Sequence, residues 1–441
     1  MLHSAIAATA AAAFLAVTAL PAAAADVQSL PWNTIPAKKI TLFYPGQSTY
    51  DWLLSPAHDK GNTRVARGKD CISCHEGEEK DLGDKLVKAG RLEPTPIAGK
   101  NGTIELQVQA AHDAQYLYLR AQWKTNMNRE GRMHDYVRFD GKAWKWYGSH
   151  RTEDKVRSGA EPPLYEDRFS IMLDDGKVAR FADQGCWLTC HNGMRDTQGE
   201  PAADAVKRHP LLGDSGLKSS DVRKYLPSSR TDAAASWDKT RSPEEIARIK
   251  AEGGFLELMQ WRAGRSGPVD MADDGYVLEY RNFDAGKNMF GANMDTKTMT
   301  PRFMFDPAKV GAKALQAQDI GNAAKPAALV RETNAVPFDP NAGWKEGDIL
   351  PGRLLSRADS QGSAADNDQV SGTWKDGMYT VLWRRKLNTG NADDKVLKVG
   401  SRYTVGLAVH DDNVTTRFHH VSFPLSLGVG VDADIRATTL K

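Results

Sequence analysis

Cysteine is scarce in this chain, with four in 441 residues, too few for the disulfide-dense scaffolds of small secreted domains. Long hydrophobic runs are missing too: after residue 25 no stretch approaches the ~18 apolar residues that cross a bilayer. That excludes a helical membrane span in the mature chain. An excess of one charge is also lacking. With 58 Lys plus Arg against 56 Asp plus Glu the formal charge is +2, so bulk electrostatics make no case for nucleic acid or an anionic membrane. No Gly-x-Ser-x-Gly elbow, phosphate loop, His-Glu-x-x-His or dinucleotide fingerprint occurs. Acidic pairs such as Asp174-Asp175 belong to turn sequences rather than acid–base machinery.

The four cysteines that are present carry the chemistry. They fall in Cys71-Ile-Ser-Cys74-His75 and Cys186-Trp-Leu-Thr-Cys190-His191, each pair followed directly by a histidine. The pattern is that of covalent haem attachment: two thiols add to the haem vinyl groups and the adjacent imidazole binds iron from one axial side. Histidine accounts for 11 of 441 residues, so one such neighbour arises by chance about once in forty trials, and two coincidences multiply. The second motif has the rarer three-residue spacer. Four thiolates around one zinc, or two disulfides, are the alternatives. Neither explains both histidines, and a zinc site would have to join pairs 112 residues apart (186 − 74). Two covalently bound c-type haems are therefore expected, on Cys71, Cys74, Cys186 and Cys190, with His75 and His191 on the irons.

Residues 1–25 read as a secretory signal. An apolar run over 5–20 ends at Pro21, and Ala23-Ala24-Ala25 before Asp26 is a small-residue cleavage site. Its amino-terminal region has no Lys or Arg, only the terminus and His3. The expected location is the periplasm, where bacterial haem attachment takes place.

The remaining chain divides into an N-terminal haem-bearing segment, 26–98, and a β-rich body, 99–441. The segment has a helix expected at Leu82 to Ala89 and a two-signed surface around its motif: Lys60, Arg64, Arg67 and Lys69 before it, Glu76, Glu78, Glu79 and Asp81 after it. In the body, Thr103 to Gln109 and Tyr116 to Trp123 alternate at period two about a turn at Ala111 to Gln115, which predicts a hairpin. Further strands are expected at 168–173, 276–280, 379–384, 403–409 and 421–427. The fold class is mainly β, an antiparallel β-sandwich with helical and loop insertions at about 186–265 and 285–375. Ser242-Pro243-Glu244-Glu245 marks a helix start, and 359–371 reads as a mobile surface loop.

The segments Leu119-Arg-Ala-Gln-Trp123, Asp167-Arg-Phe-Ser-Ile-Met-Leu-Asp174, Gly185-Cys-Trp-Leu-Thr-Cys-His191, Lys224-Tyr-Leu-Pro227 and His419-His-Val-Ser-Phe-Pro424 together resemble the haem-binding domain of ethylbenzene dehydrogenase-type proteins. The resemblance covers roughly residues 100–430. It implies a β-sandwich electron-transfer subunit working with a periplasmic molybdenum oxidoreductase of the DMSO reductase class, and with a soluble or membrane cytochrome on the other side. The best-known members hold one non-covalent b-type haem between Met and Lys. Cysteine motifs and a second haem depart from that pattern, so those axial ligands do not carry over.

An electron carrier needs a second axial ligand on each iron. The candidates are His420 and His134, then His58 and Met127. His419 and His420 are adjacent in a strand, so at most one of them faces a given pocket. Met194 lies too close to His191 for an easy opposite-face ligand, while His112 and His209 are expected to be solvated. Tryptophans are expected as core and rim residues rather than an electron path. Electron transfer is the leading function. A dihaem peroxidase or small-molecule reductase with one open iron, and a haem-based ligand sensor, are the alternatives.

Overall fold

The computed structural model describes residues 25–88, 90–126, 131, 135–216, 219–283 and 287–440. Period-two alternation places its strands. The amino-terminal half of the main sheet contains β1 (Ala37–Phe43), β2 (Thr103–His112), β3 (Tyr116–Lys124), β4 (Arg168–Asp174), β5 (Leu256–Arg262), β6 (Gly275–Val277) and β7 (Arg281–Phe283). The carboxy-terminal part adds β8 (Gln369–Lys375), β9 (Met378–Lys386), β10 (Arg402–His410), β11 (His420–Val421), β12 (Leu425–Val429) and β13 (Ile435–Thr439).

The mainly β expectation holds. The strands do not divide into two separate sheets: they form one, in the order β8-β9-β3-β2-β1-β11-β10-β4-β5-β6-β7. β13 closes part of it into a ring by pairing in parallel with both β2 and β12, while β12 pairs with β10. The two wings face one another across a shared core. Trp123 of β3 meets Phe169 of β4 at 6.1 Å and Trp261 of β5 at 6.3 Å, and Tyr379 of β9 stacks on Trp123 at 5.1 Å. Gly372 of β8 is required here, since a Cβ would lie 2.0 Å from the Trp261 ring. These tryptophans are core residues. A second core gathers around Trp144, where Tyr136–Phe139, Trp144–Tyr147 and Ile349–Pro351 form a small sheet.

Several local expectations are revised. Segment 26–98 is not set apart from the body, because β1 pairs with β2 along its whole length. The helix expected at 82–89 runs over Glu79–Leu86. The strand expected at 276–280 is the tight hairpin β6–β7, and 421–427 is broken into β11 and β12 by Pro424, which cannot donate to the ladder. Residues 359–371 are not a free loop. Ser363 and Asn367 are buried, bonded to Asp393, Asp274 and Trp383, and the segment runs into β8. His112 is buried at the end of β2, close to Thr439 at 2.9 Å. The capping box at Ser242 forms as expected and starts the helix Pro243–Ala251.

One buried charge cluster sets a pH dependence. Glu257, Asp274 and Asp394 bring carboxylate oxygens within 4.8 Å of one another, and Arg385 forks onto Glu257 at 2.8 Å through two nitrogens. Burial drives Glu257 from 4.5 up to about 7 and raises Asp274 and Asp394. A raised carboxyl pKa means that folding takes up protons, so this contribution is best below the ordinary carboxyl range and weakens as pH rises through about 7. Asp394 Oδ1 has no hydrogen-bond partner. Asp394→Asn is expected to raise Tm near pH 8 by a few degrees, on the order of 1 kcal/mol, and to change it little near pH 5. A lower Tm at the alkaline end would contradict the electrostatic origin.

Candidate cofactor sites

The first cysteine motif sits on a run of short helices that begins with α1 (Tyr50–Leu54), capped by the Thr49 hydroxyl. Ser55 and Pro56 then start a single 3₁₀ turn that ends at His58. α2 (Gly61–Ala66) leads to α3 (Ile72–His75), which carries the motif, and Glu79–Leu86 follows. His58 and His75, 17 residues apart in sequence (75 − 58), are brought together: their ring centroids are 6.2 Å apart with planes inclined by 23°. Two imidazoles sharing one metal through bonds of roughly 2.0–2.1 Å place their centroids about 6 Å apart. The tautomers suit that role. His58 Nδ1 donates to the Leu53 carbonyl at 3.0 Å and His75 Nδ1 lies 2.8 Å from Glu78, which leaves each Nε2 lone pair for a ligand. Burial lowers the His58 pKa and favours the neutral ring. Trp52 packs on His58 at 4.9 Å, and Gly61 makes room for it, since a Cβ there would lie 2.6 Å from the ring.

The second motif lines a cavity with about 1400 Å³ of empty space, counting its open mouth. One face of β10, β4 and β5 forms its floor in three rungs. Gly406, Met172 and Leu258 make an apolar rung beneath Cys186. Ala408, Ser170 and Gln260 make a neutral one, and His410, Arg168 and Arg262 a cationic one. The intervening residues, among them Phe169, Leu407 and Trp261, point into the main core. Gly406 lies so close to the motif that a Cβ would be 2.5 Å from Cys186 Sγ.

His191, beside these cysteines, is fully buried but turned away from the cavity. Its ring stacks on Tyr225 at 4.3 Å, with Nδ1 3.5 Å from the Asp51 carboxylate and Nε2 3.2 Å from the Leu188 carbonyl. Met194 lines the cavity, and its sulfur accepts the His191 amide at 3.1 Å. Of the adjacent pair, His419 lines the cavity and His420 does not. His419 Nδ1 donates to the Thr416 carbonyl at 2.6 Å, and burial beside the Lys224 cation drives its pKa down to about 3, leaving Nε2 neutral and available. His420 instead packs near Tyr44 and lies 2.8 Å from the Asn101 carbonyl through Nε2. Met127 and His134 lie outside the described residues.

The thiols are free, and burial pushes Cys71 up to about 12 and raises Cys186 and Cys190. A reactive dithiol needs the opposite shift. Among the described residues no cluster of three close ligand groups includes any of the four cysteines, so they do not form one zinc site. The two motifs are nonetheless neighbours. Cys71 and Ile72 pack on the cluster that holds Cys186, Trp187, Phe43 and Phe423, and the Cys71 amide donates to Asp183 at 3.2 Å. α1 bridges them: Tyr50 and Asp51 touch the second motif, and His58 follows on the order of 12 Å along the chain from Asp51.

Residues 31–422 match the family described as Ethylbenzene dehydrogenase. The chain belongs to the ethylbenzene dehydrogenase family. The chain is 27% identical to a protein named cytochrome c-552 from Stutzerimonas stutzeri over 422 residues, 95% of this chain and 92% of the relative. It is 30% identical to cytochrome c-551 from Rhodocyclus tenuis over 177 residues, 40% of this chain and 60% of that protein. In this family member, sequence reasoning missed His410 and Asp51. His410 stacks on His419 at 4.5 Å. It continues the small residues Gly406 and Ala408 on the face opposite Val405, Leu407 and Val409, a period-two signal visible in the sequence. Asp51 had no local signal, because its contact with His191 is made only by the fold.

Proposed function

We propose that the protein is a periplasmic dihaem c-type cytochrome that relays electrons between two redox partners. The observation that carries this reading is the His58–His75 pair beside the free thiols of Cys71 and Cys74, two imidazoles that would suit as ligands of one iron next to an attachment motif. The names of the two relatives support it. Haem iron, when bound, supplies the one-electron ferric–ferrous couple. The chain's own residues do the rest. Cys71 and Cys74 would tether one group near the surface, Cys186 and Cys190 would tether another inside the cavity, and Glu78, the Leu53 carbonyl and the Thr416 carbonyl fix which imidazole nitrogen is free. His191, stacked on Tyr225 with Asp51 as its carboxylate partner, would be the iron ligand supplied by the second motif.

The exposed charges flanking the first motif, basic before and acidic after, suit it to steer a protein partner. By family, that partner is a molybdenum oxidoreductase, with a soluble or membrane cytochrome at the other end. No described helix is long and apolar enough to cross a membrane. The orientation of His191 favours a second reading, a dihaem enzyme whose enclosed iron keeps one side open.

Pyridine haemochrome and intact mass on periplasmically matured protein, followed by low-temperature EPR, separate these. Two covalent haems, both low spin, are the expected result. A high-spin component from the enclosed site moves the enzyme reading ahead, and one haem or none rejects the dihaem assignment.

A further inference from the structure

We propose that Arg168, Arg262, Arg265 and Arg281 form a clamp for the two propionates of the haem attached at Cys186 and Cys190, and that this clamp makes it the higher-potential haem of the pair. The inference rests on the cavity being a haem site.

Polarity along the cavity floor sets the orientation. From the apolar rung at Gly406 to the cationic rung at His410 the strands advance roughly 13 Å, with the cysteine at one end and guanidinium groups at the other. Seven arginines and Lys224 line the cavity, and among the described residues no Asp or Glu does.

The four clamp residues share two carboxylates. Glu166 lies 2.5 Å from Arg265, 3.3 Å from Arg168 and 4.0 Å from Arg262. Asp273 takes Arg262 in a fork at 2.6 and 2.7 Å and lies 3.6 Å from Arg281. Four cations less two anions leave two positive charges, matching two propionates. Donors are also left over: Arg265 Nη2 and Arg281 Nε are buried without a hydrogen-bond partner, and Arg168 Nε meets Glu166 at 3.3 Å outside hydrogen-bond geometry. Buried guanidinium donors are costly when unpaired, and carboxylates in a fork geometry are the ligands they fit.

The effect on potential follows from charge. Propionates left unpaired favour ferric iron, and a guanidinium clamp cancels their field in a medium of low dielectric. The first motif carries charges of both signs, Lys60, Arg64, Arg67 and Lys69 before it and Glu76, Glu78, Glu79 and Asp81 after it, and its cations are exposed, so water screens them far more than the buried guanidinium groups. Electrons therefore collect on the enclosed haem.

Spectroelectrochemical titration of the holoprotein tests this, with the haem count of each sample taken by pyridine haemochrome. The enclosed haem's wave is identified by its loss in a Cys186→Ser, Cys190→Ser double variant. In wild-type protein it is expected to be the higher of two waves. Arg265→Gln and Arg281→Gln are each expected to shift it about tenfold toward the ferric form, or about 59 mV lower, with the other wave unmoved. Should either glutamine variant lose the enclosed haem, Arg281→Lys, which keeps charge but loses the fork, is expected to show a smaller fall in the same wave. An unmoved upper wave in these variants, or an enclosed haem that titrates lower in wild type, overturns the clamp. Wild-type protein with a single covalent haem overturns the cavity reading itself, and the clamp with it.

Discussion

Alanine in place of His58 is expected to leave both haems attached and to convert the first iron from low to high spin. On the proposed dihaem reading, thioether bonds to Cys71 and Cys74 would hold the porphyrin whatever happens at its sixth ligand. The His58 ring lies 6.2 Å from the His75 ring, and it is held there by the Leu53 carbonyl, by Trp52 and by the space Gly61 leaves. Removing a half-buried ring from a surface turn should cost on the order of 1 kcal/mol, too little to unfold the protein. EPR would show a new high-spin signal accounting for one of two irons, and the first haem would bind carbon monoxide when reduced. His420→Ala is the matched control, expected to alter neither iron because its Nε2 is engaged with the Asn101 carbonyl. Two intact low-spin signals in the His58 variant would mean that another side chain occupies that axial position.

The second large effect is expected from Gly406→Val. Valine suits the middle of a strand, so β10 should still form. Its Cβ, however, would fall 2.5 Å from Cys186 Sγ, far inside van der Waals contact, and its methyl groups would enter the apolar rung of the cavity. Intact mass is expected to move from two haems per chain toward one, with the first haem's spectrum unchanged. Retention of two covalent haems by a folded Gly406→Val protein would falsify the placement of the second haem over that rung.

The two cysteine–histidine motifs were legible in the sequence because they are local. A cysteine pair and its histidine need only a few consecutive residues, and period-two alternation predicted the hairpin β2–β3 and most of the long strands in the same way. Other features were not legible. The closure of the sheet depends on β13 meeting β2 more than 300 residues away in the chain, and 359–371 reads as a loop until Asn367 is seen between Asp274 and Trp383.

The axial candidates divide along the same line. His58 could be named from its nearness to Cys71, whereas the choice between His419 and His420 required knowing which face of a two-residue strand turned toward Cys186. By itself the sequence determined that this chain is mainly β, has two cysteine–histidine motifs and carries a near-neutral charge, since composition and short-range pattern decide these. The tertiary structure alone decided that the motifs adjoin, that one lies at the surface and the other in an arginine-lined cavity, and which histidines face them. Those facts depend on side chains from distant strands meeting on one face, and no local pattern encodes that register.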